Sequence, residues 1–212
     1  NFIPSLPYRN SAGFHQRIGT YNTGNWQGSV SIGNDIITVN AGTGRMQSSQ
    51  FYQESDQADI LRVFENTFFN LGFKPFANIE IRAFRFHNER EFENIKLNDS
   101  LSSSFSVEIL KLKYDKLGLG NLELFTSHQQ HSGKDKTMVI SSHKDDEELL
   151  FGFQYSLPIP NASLSISGEM LKSISDWNTS FGIINARRNQ STLSGVFAVS
   201  QPDMGGDLRL KD

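Results

Sequence analysis

The feature that most constrains this chain is a run of alternating side chains over residues 147–170, EELLFGFQYSLPIPNASLSISGEM. Apolar residues recur at every second position on both sides of a Pro-Asn turn, starting with Leu149, Phe151, Phe153, Tyr155 and Leu157. A period of two is the pattern of a β-strand with two unlike faces. The run therefore predicts a hairpin with one apolar face, and that face must meet either a soluble core or lipid.

The length and composition of the chain limit the classes of protein to which it can belong. The 212 residues include 17 Phe and no Cys, which predicts one β-barrel domain over 1–212 without disulfides or thiolate metal sites. A formal net charge of -3 leaves no basic field, so nucleic acid is not an expected partner. No run of 18 apolar residues occurs, so any membrane span has to be built from strands.

The first third of the chain is rich in Gly, Asn, Ser and Thr. It predicts three short strands, near Phe14–Tyr21, Trp26–Ile32 and Ile36–Ala41. The next segment predicts a short helix near 56–70, because Ile60, Phe64 and Phe68 recur at helical spacing ahead of a glycine stop. The alternative for its last part is a strand over Thr67–Phe73.

The middle of the chain alternates between predicted strands and charged stretches. A strand is predicted over Asn78–Phe86, followed by a charged loop over 87–104. Residues 104–118 fit both a helical stripe and a strand alternation, and the neighbouring strands favour the strand. A second polar loop is predicted over 128–148, with one short strand at Thr137–Ser141.

From Glu148 onward the alternation predicts four strands with turns at PIPN, SISDW and RRNQ. Each strand has about ten residues, which is the length that a tilted strand needs to cross a bilayer. We therefore predict an all-β fold in which an antiparallel meander closes into a β-barrel of about eight to twelve strands.

The polar positions between the apolar rows indicate which way the two faces point. They are Gly152, Gln154, Ser156, Ser163, Ser165, Ser167 and Glu169, of which Glu169 alone is charged. A soluble surface would carry Lys and Glu across it, whereas small uncharged side chains suit a confined, hydrated lumen. The sequence thus favours a bacterial outer-membrane barrel with a structural or narrow-pore role. Its expected partners are membrane lipid and either a polysaccharide or another envelope protein.

The alternative is a soluble β-sandwich or barrel, secreted or periplasmic, that binds carbohydrate or lipid. Its apolar face would be core, and its Ser-rich face would be exposed to water. One observation favours this alternative, because Arg85 falls on the same side of its strand as Ile79 and Ile81.

One stretch, FFNLGFKPFANIEIRAFRF, resembles a segment of Gram-negative outer-membrane β-barrel proteins linked to exopolysaccharide export. An aromatic–Leu strand is followed by Pro, an aromatic residue, a Glu and an Arg, at Phe69, Leu71, Phe73, Pro75, Phe76, Glu80 and Arg82. The resemblance is confined to residues 68–86. It implies an envelope protein and assigns no role to any residue.

No catalytic signature is present, since neither G-x-S-x-G nor H-E-x-x-H occurs, and the sequence favours a non-enzymatic protein without a cofactor. The candidates for lumen or ligand contacts are Gln154, Glu169, Trp177, Arg187 and Arg188. Glu169 is expected to project inward from the middle of its strand, as a charge partner or a polarity filter. The two arginines, at a predicted turn, would otherwise serve as interfacial anchors or solvated loop residues.

Three further clusters of polar residues are more simply explained as solvated surface residues than as metal or catalytic sites. The histidines of HQQH, His128 and His131, could bind a metal together with His143, but the stretch is predicted as loop. KDDEE at 144–148 lacks the spacing of a calcium loop, and VEILK with upstream Asp99 only loosely resembles nuclease strands. No metal site is therefore predicted.

Overall fold

The computed structural model describes residues 10–19, 23–50, 60–95, 97–117, 120–159, 162–181, 184–201 and 206–211, and every regular element within them is a strand. The strands are β1 (Ser11–Ile18), β2 (Gly24–Gly33), β3 (Ile37–Gln50), β4 (Ile60–Phe76), β5 (Ile79–Asn94), β6 (Asp99–Leu117), β7 (Gly120–Lys136), β8 (Ile140–Ile159), β9 (Ala162–Phe181), β10 (Ile184–Gln201) and β11 (Gly206–Lys211). Among these residues, no helix is long and apolar enough to cross a membrane.

The 11 strands form one sheet in which each strand pairs antiparallel with its neighbours in the sequence. The predicted all-β antiparallel meander is therefore confirmed. β1 and β11 are the two edges of the sheet, and within the described residues no pairing joins them, so the sheet is open. The described strands make one layer, whereas the β-sandwich alternative requires two.

Short polar side chains fix the tight connections between strands. Between β2 and β3, Asn34 Oδ1 accepts hydrogen bonds from the backbone N–H groups of Ile36 and Ile37, at 2.9 and 2.8 Å. Between β7 and β8, Thr137 Oγ1 accepts one from the N–H of Ile140 at 3.0 Å. These bonds satisfy backbone donors that the sheet leaves unpaired, so the chain can reverse within a few residues.

The predicted helix near 56–70 is wrong over residues 60–70, which belong to β4; the positions before Ile60 lie outside the described residues. The spacing of four between Ile60, Phe64 and Phe68 fits a helix, but it is also a multiple of two. In β4 all three therefore point to one face. Pairing with β3 and β5 decided between the two periods, and the alternative strand over Thr67–Phe73 is confirmed.

The two predicted polar loops are also wrong, because both stretches are mostly strand, and the short strand predicted at Thr137–Ser141 falls largely on the connection at residues 137–139. β5 continues to Asn94 and β6 begins at Asp99, while β7 continues to Lys136 and β8 begins at Ile140. The predicted turns SISDW and RRNQ lie inside β9 and β10, each of which is one long strand. These stretches have the polar composition of loops because both faces of the sheet carry polar side chains at the end far from the β4–β5, β6–β7 and β8–β9 connections.

The described part of the sheet has almost no hydrophobic core. Val63, at 9% exposed, is the one apolar side chain there that is buried. Large apolar side chains are exposed instead, for example Phe151 at 45% and Met170 at 47%. A soluble sheet buries such side chains against a second layer. Something outside the sheet must therefore cover this apolar surface.

Candidate functional site

Strand register divides the side chains into two faces, because directly paired residues point the same way. The side that carries Phe151 and Met170 is named the banded face, and the side that carries Gln154 and Ser167 is named the charged face. In β8 the odd-numbered residues lie on the banded face and the even-numbered residues on the charged face. Pairing extends this division across the sheet.

An uncharged apolar band crosses the banded face next to the short connections β4–β5, β6–β7 and β8–β9. Its cross-strand rows are Ile32, Val39, Leu71, Ala83, Leu110, Thr126, Phe151, Met170 and Gly195; then Ile37, Phe73, Ile81, Leu112, Leu124, Phe153 and Gly168; then Ile79, Tyr114, Leu122, Tyr155 and Ile166. None of these residues is ionisable at neutral pH. Along β8 the three rows and the adjoining Leu157 extend from Phe151 to Leu157, about 20 Å of strand. At a tilt of about 40° this gives a height of about 15 Å, against about 25 Å for the lipid-facing bands of outer-membrane barrels.

Charge returns in the next cross-strand row, named the boundary row. It includes Val30, Ala41, Phe69, Arg85, Glu108, His128, Leu149, Lys172 and Leu193. Arg85 therefore lies at the limit of the band and not inside it, and its Nε is 3.4 Å from Glu108 Oε1. Toward the opposite limit lie Tyr114 and Tyr155, where an aromatic girdle is expected.

At the height of the band, ionisable side chains occur on the charged face. They are Glu80, Arg82, Lys111, Lys113, Glu123 and Glu169. Lys111 Nζ is 2.6 Å from Glu123 Oε1, and Arg82 pairs with Glu80. Four of the five buried polar side chains also lie on this face: Ser31, Asn70, Asn88 and Ser127. This face is thus the polar and more crowded one, as expected for the inside of a barrel wall.

Beyond the boundary row, the charged face carries an aromatic–arginine patch made of Phe64, Phe86, Phe92, Phe105, Arg62 and Arg90. The guanidinium carbon of Arg90 lies 5.4 Å from the centre of the Phe64 ring, and that of Arg62 lies 5.8 Å from the centre of the Phe92 ring. Most of the patch lines a depression of about 660 Å³ that also includes His131 and Asp146. The stacked guanidinium groups keep N–H edges available for a ligand.

Asp146 provides the negative charge in this depression. Lys144 Nζ is 2.6 Å from its Oδ2, the Ser175 hydroxyl donates to its Oδ1 at 2.6 Å, and His131 Nδ1 is 3.8 Å away. Partial burial acts to raise the pKa of the Asp146 carboxyl, but the hydrogen bonds from Lys144 and Ser175 outweigh it and lower the pKa below its ordinary value of 3.8. The group is therefore a carboxylate at neutral pH.

Of the five residues predicted to contact a lumen or ligand, the structure brings together Trp177 and Arg188 and separates the others. Gln154, Glu169, Trp177 and Arg188 lie on the charged face, and Arg187 lies on the banded face beyond the boundary row. Gln154 Nε2 donates to Ser165 Oγ at 3.3 Å, and Trp177 is the direct cross-strand partner of Arg188. A hydrogen bond from Arg187 lowers the pKa of the Asp176 carboxyl, with Arg187 Nη2 at 2.8 Å from Asp176 Oδ2.

The weaker clusters are separated by the same register. His128 lies on the banded face and His131 on the charged face, because three residues along a strand reverse the side-chain direction. Glu108 and Lys111 are separated in the same way, and so are the carboxylates of KDDEE. Among the described residues, no three His, Asp or Glu side chains converge on a possible metal position.

Sequence reasoning missed the aromatic–arginine patch, although a signal was available. Arg-x-Phe occurs three times, and two of these, Arg62–Phe64 and Arg90–Phe92, belong to the patch. Antiparallel pairing of β4 with β5 places Arg62 opposite Phe92 and Phe64 opposite Arg90. The repeat indicates two stacked pairs only once the partner strand is known, and residues 87–104 had been predicted as loop.

One sheet of long antiparallel strands, with an apolar band on one face and charge on the other, defines the wall of a β-barrel. Searches against known families and curated protein sequences find no match. Among solved structures, the chain is similar to the siderophore receptor PiuA from Acinetobacter baumannii, with a TM-score of 0.65 and 8% identity over 92% of this chain and 40% of that one. It is also similar to P. aeruginosa FpvA bound to heterologous pyoverdines, with a TM-score of 0.52 and 8% identity over 95% of this chain and 38% of that one.

The chain thus spans about 40% of the length of the first of these structures. The predicted resemblance is confirmed as far as an outer-membrane barrel fold, but the matched structures are siderophore receptors and not the exopolysaccharide-linked type. Residues that suggested the latter occupy both faces of this wall. Phe69, Leu71 and Phe73 lie on the banded face, and Glu80 pairs with Arg82 on the charged face.

Proposed function

We propose that this chain forms part of the wall of a bacterial outer-membrane receptor that takes up a bulky ligand such as an iron chelate. The observation that carries the proposal is the confinement of charge to one face. At the height of the band, the rows of the banded face contain no ionisable residue at neutral pH, whereas the charged face contains several. Side chains distributed in this way fit lipid on one side and water on the other.

The open edges favour a wide barrel over the narrow pore or purely structural role expected from the sequence. Within the described sheet, β1 and β11 each have one neighbour, and an unpaired strand edge is not tolerated in lipid. We infer that strands outside this sheet complete the wall. Barrels of about 16 to 22 strands have a lumen wide enough for a channel or for an internal domain. The paired charges at band height suit contact with a polar segment of an envelope protein in that lumen.

The aromatic–arginine patch is the proposed ligand-binding surface. Its rings offer flat apolar contact, and Arg62 and Arg90 can donate hydrogen bonds to carboxylate or phenolate oxygens. PiuA is a siderophore receptor, and FpvA has been solved with a pyoverdine–iron complex. Chelates with aromatic rings and anionic oxygens match the patch, because their rings can contact the phenylalanine rings and their oxygens can accept hydrogen bonds from the arginines. A neutral polysaccharide lacks both groups and is the weaker candidate.

Ligand titration of the protein in detergent micelles tests this proposal. Ferric siderophores of catecholate and hydroxamate type are added, and quenching of Trp fluorescence is followed. We expect Arg90→Ala to weaken binding of the preferred chelate about 10-fold, the loss expected for a charge-assisted hydrogen bond. Arg85→Ala is the matched control, because it removes a guanidinium from the banded face.

The outcomes separate the two parts of the proposal. Equal affinities for Arg90→Ala and the wild type would overturn the ligand assignment. A protein that folds and stays in the aqueous fraction without detergent or lipid would overturn the membrane assignment itself.

A further inference from the structure

A shallow apolar groove of about 940 Å³ lies within the band. Its walls are the side chains of Leu110, Leu124, Phe151, Phe153 and Met170. Gly195 leaves one side of the groove open, since a Cβ added there would meet nothing closer than the Glu169 backbone oxygen at 3.4 Å. The groove is therefore an actual depression in a surface that is otherwise covered by side chains.

A cation without a partner lies directly above this groove. Lys172 occupies the boundary row, between Leu149 and Leu193 and one row above Met170 and Gly195. It is exposed, and no described residue forms a hydrogen bond or ion pair with it. The other basic groups of that row are paired.

These pairs involve the same row and the row beyond it. Arg85 approaches Glu108 at 3.4 Å, and His128 lies 3.1 Å from Glu147. Lys172 has apolar side chains, Leu149 and Leu193, on both sides in its row, and although Glu147 lies on the same face one row farther, no described carboxylate forms an ion pair with Lys172. A lysine in this position extends its ammonium group toward the polar limit of a membrane.

We propose that the groove and Lys172 together bind one phosphorylated lipid of the outer leaflet, with an acyl chain in the groove and the phosphate on the ammonium group. This inference rests on the proposed membrane location. Beyond the boundary row, β7 continues to Lys136 and β8 starts at Ile140, with polar side chains on both faces, as the longer extracellular parts of outer-membrane barrels do, so the boundary row is at the outer side. Lys172 is two residues from Met170 along β9, about 7 Å, so headgroup and chain can be reached by one molecule.

The chemistry of the groove favours an acyl chain over a peptide. A bound peptide needs backbone hydrogen bonds or polar pockets along its length. The groove offers hydrocarbon side chains, while its one nearby cation is at the end. A single terminal anion on an apolar chain is the matching ligand.

Lipid retention by the intact protein in nanodiscs tests the assignment. Nanodiscs of phosphatidylcholine containing a minor fraction of phosphatidylglycerol are used, and lipid that stays bound after detergent extraction is counted by native mass spectrometry. We expect Lys172→Gln to reduce retained phosphatidylglycerol at least 5-fold. Lys134→Gln is the matched control, because it removes the same charge from the banded face far from the band. Gly195→Leu, which fills the groove, should give a similar loss.

The two variants keep the test decisive. Retention that is unchanged in both Lys172→Gln and Gly195→Leu would overturn the lipid site, while insertion into nanodiscs would still support the membrane wall. Failure of the wild type to insert would instead overturn the proposed function. Equal losses in Lys172→Gln and Lys134→Gln would show attraction by net charge alone and would also overturn the site.

Discussion

At the scale of single residues, aromatic rings cover glycines on neighbouring strands. Phe125 lies over its direct partner Gly152 on the charged face, and Phe153 lies over Gly168 on the banded face. Because glycine has no side chain, the aromatic ring of its partner can pack flat against the backbone. The ring then covers the backbone that a side chain at the glycine position would otherwise cover. These pairs hold register in a sheet whose described residues include almost no buried apolar side chains.

The Gly152–Phe125 pair gives a prediction of stability. A Cβ at Gly152 would collide with the Phe125 ring. We expect Gly152→Ala to lower the free energy of unfolding by about 1–3 kcal/mol, the usual cost of overpacking. Urea-induced unfolding in lipid bilayers measures this change. Gly133→Ala is the control, because a Cβ at Gly133 would meet nothing within 4 Å. Equal effects of the two substitutions would contradict the account.

At the scale of elements, alternation predicted strands best where one face is apolar. Residues 147–170 were correctly predicted as a hairpin, because the band gives β8 and β9 a clear period of two there. Farther from the β4–β5, β6–β7 and β8–β9 connections the same strands are polar on both faces. The composition of residues 87–104 and 128–148 therefore predicted loops where the structure has mostly strands. β4 was ambiguous because a spacing of four residues between its apolar side chains fits both the helical period and the strand period. Pairing between strands, which one sequence does not display, settled both cases.

The candidate site was less predictable than the fold for a related reason. Glu169 and Gln154 could be placed on the polar side from alternation alone. The aromatic–arginine patch depends on residues from β4, β5 and β6 meeting across two registers. A shift of one residue in either pairing would move half of its members to the other face.

Beyond the boundary row, polar side-chain contacts join the long ribbons of β8, β9 and β10. Asp146 accepts a hydrogen bond from Ser175 across β8 and β9, and Asp176 pairs with Arg187 across β9 and β10. Both carboxyl groups have pKa values below the ordinary 3.8 in the folded protein. A depressed pKa means that the stabilisation is present above the ordinary value and is lost as pH falls through the folded-state value.

The direction of this pKa shift predicts how the stability of the ribbons depends on pH. In Asp146→Asn, amide protection of β8 and β9 beyond the band should fall at pH 6 relative to the wild type. The difference should shrink as pH falls below about 3.8 and disappear only below the still lower pKa of the folded carboxyl, where the wild-type group is also neutral. Hydrogen exchange corrected for intrinsic rates measures it, with Asp135→Asn as the control, since no described residue forms an ion pair with Asp135. A gap that persists unchanged at low pH would argue against this role for Asp146.

At the scale of the whole molecule, the sheet is a wall between two media. Its banded face is uncharged across the band, its charged face carries paired ions at the same height, and its two edges are open in the described strands. The likeness to PiuA extends over 92% of this chain and 40% of that one, in agreement with a segment of a larger barrel wall. The side on which lipid lies is the central claim, since the ligand surface and the lipid site both follow from it.

Spin-label accessibility along β8 tests this claim most directly. The chain contains no Cys, so single cysteines at positions 151–156 can each carry one nitroxide in the protein reconstituted into lipid bilayers. We predict that labels at Phe151, Phe153 and Tyr155 are relaxed by oxygen, which concentrates in lipid, and labels at Gly152, Gln154 and Ser156 by a water-soluble nickel chelate. Loss of this alternation, with the labels at Phe151, Phe153 and Tyr155 shielded from both reagents, would contradict the account, because it would show a packed core where we place lipid.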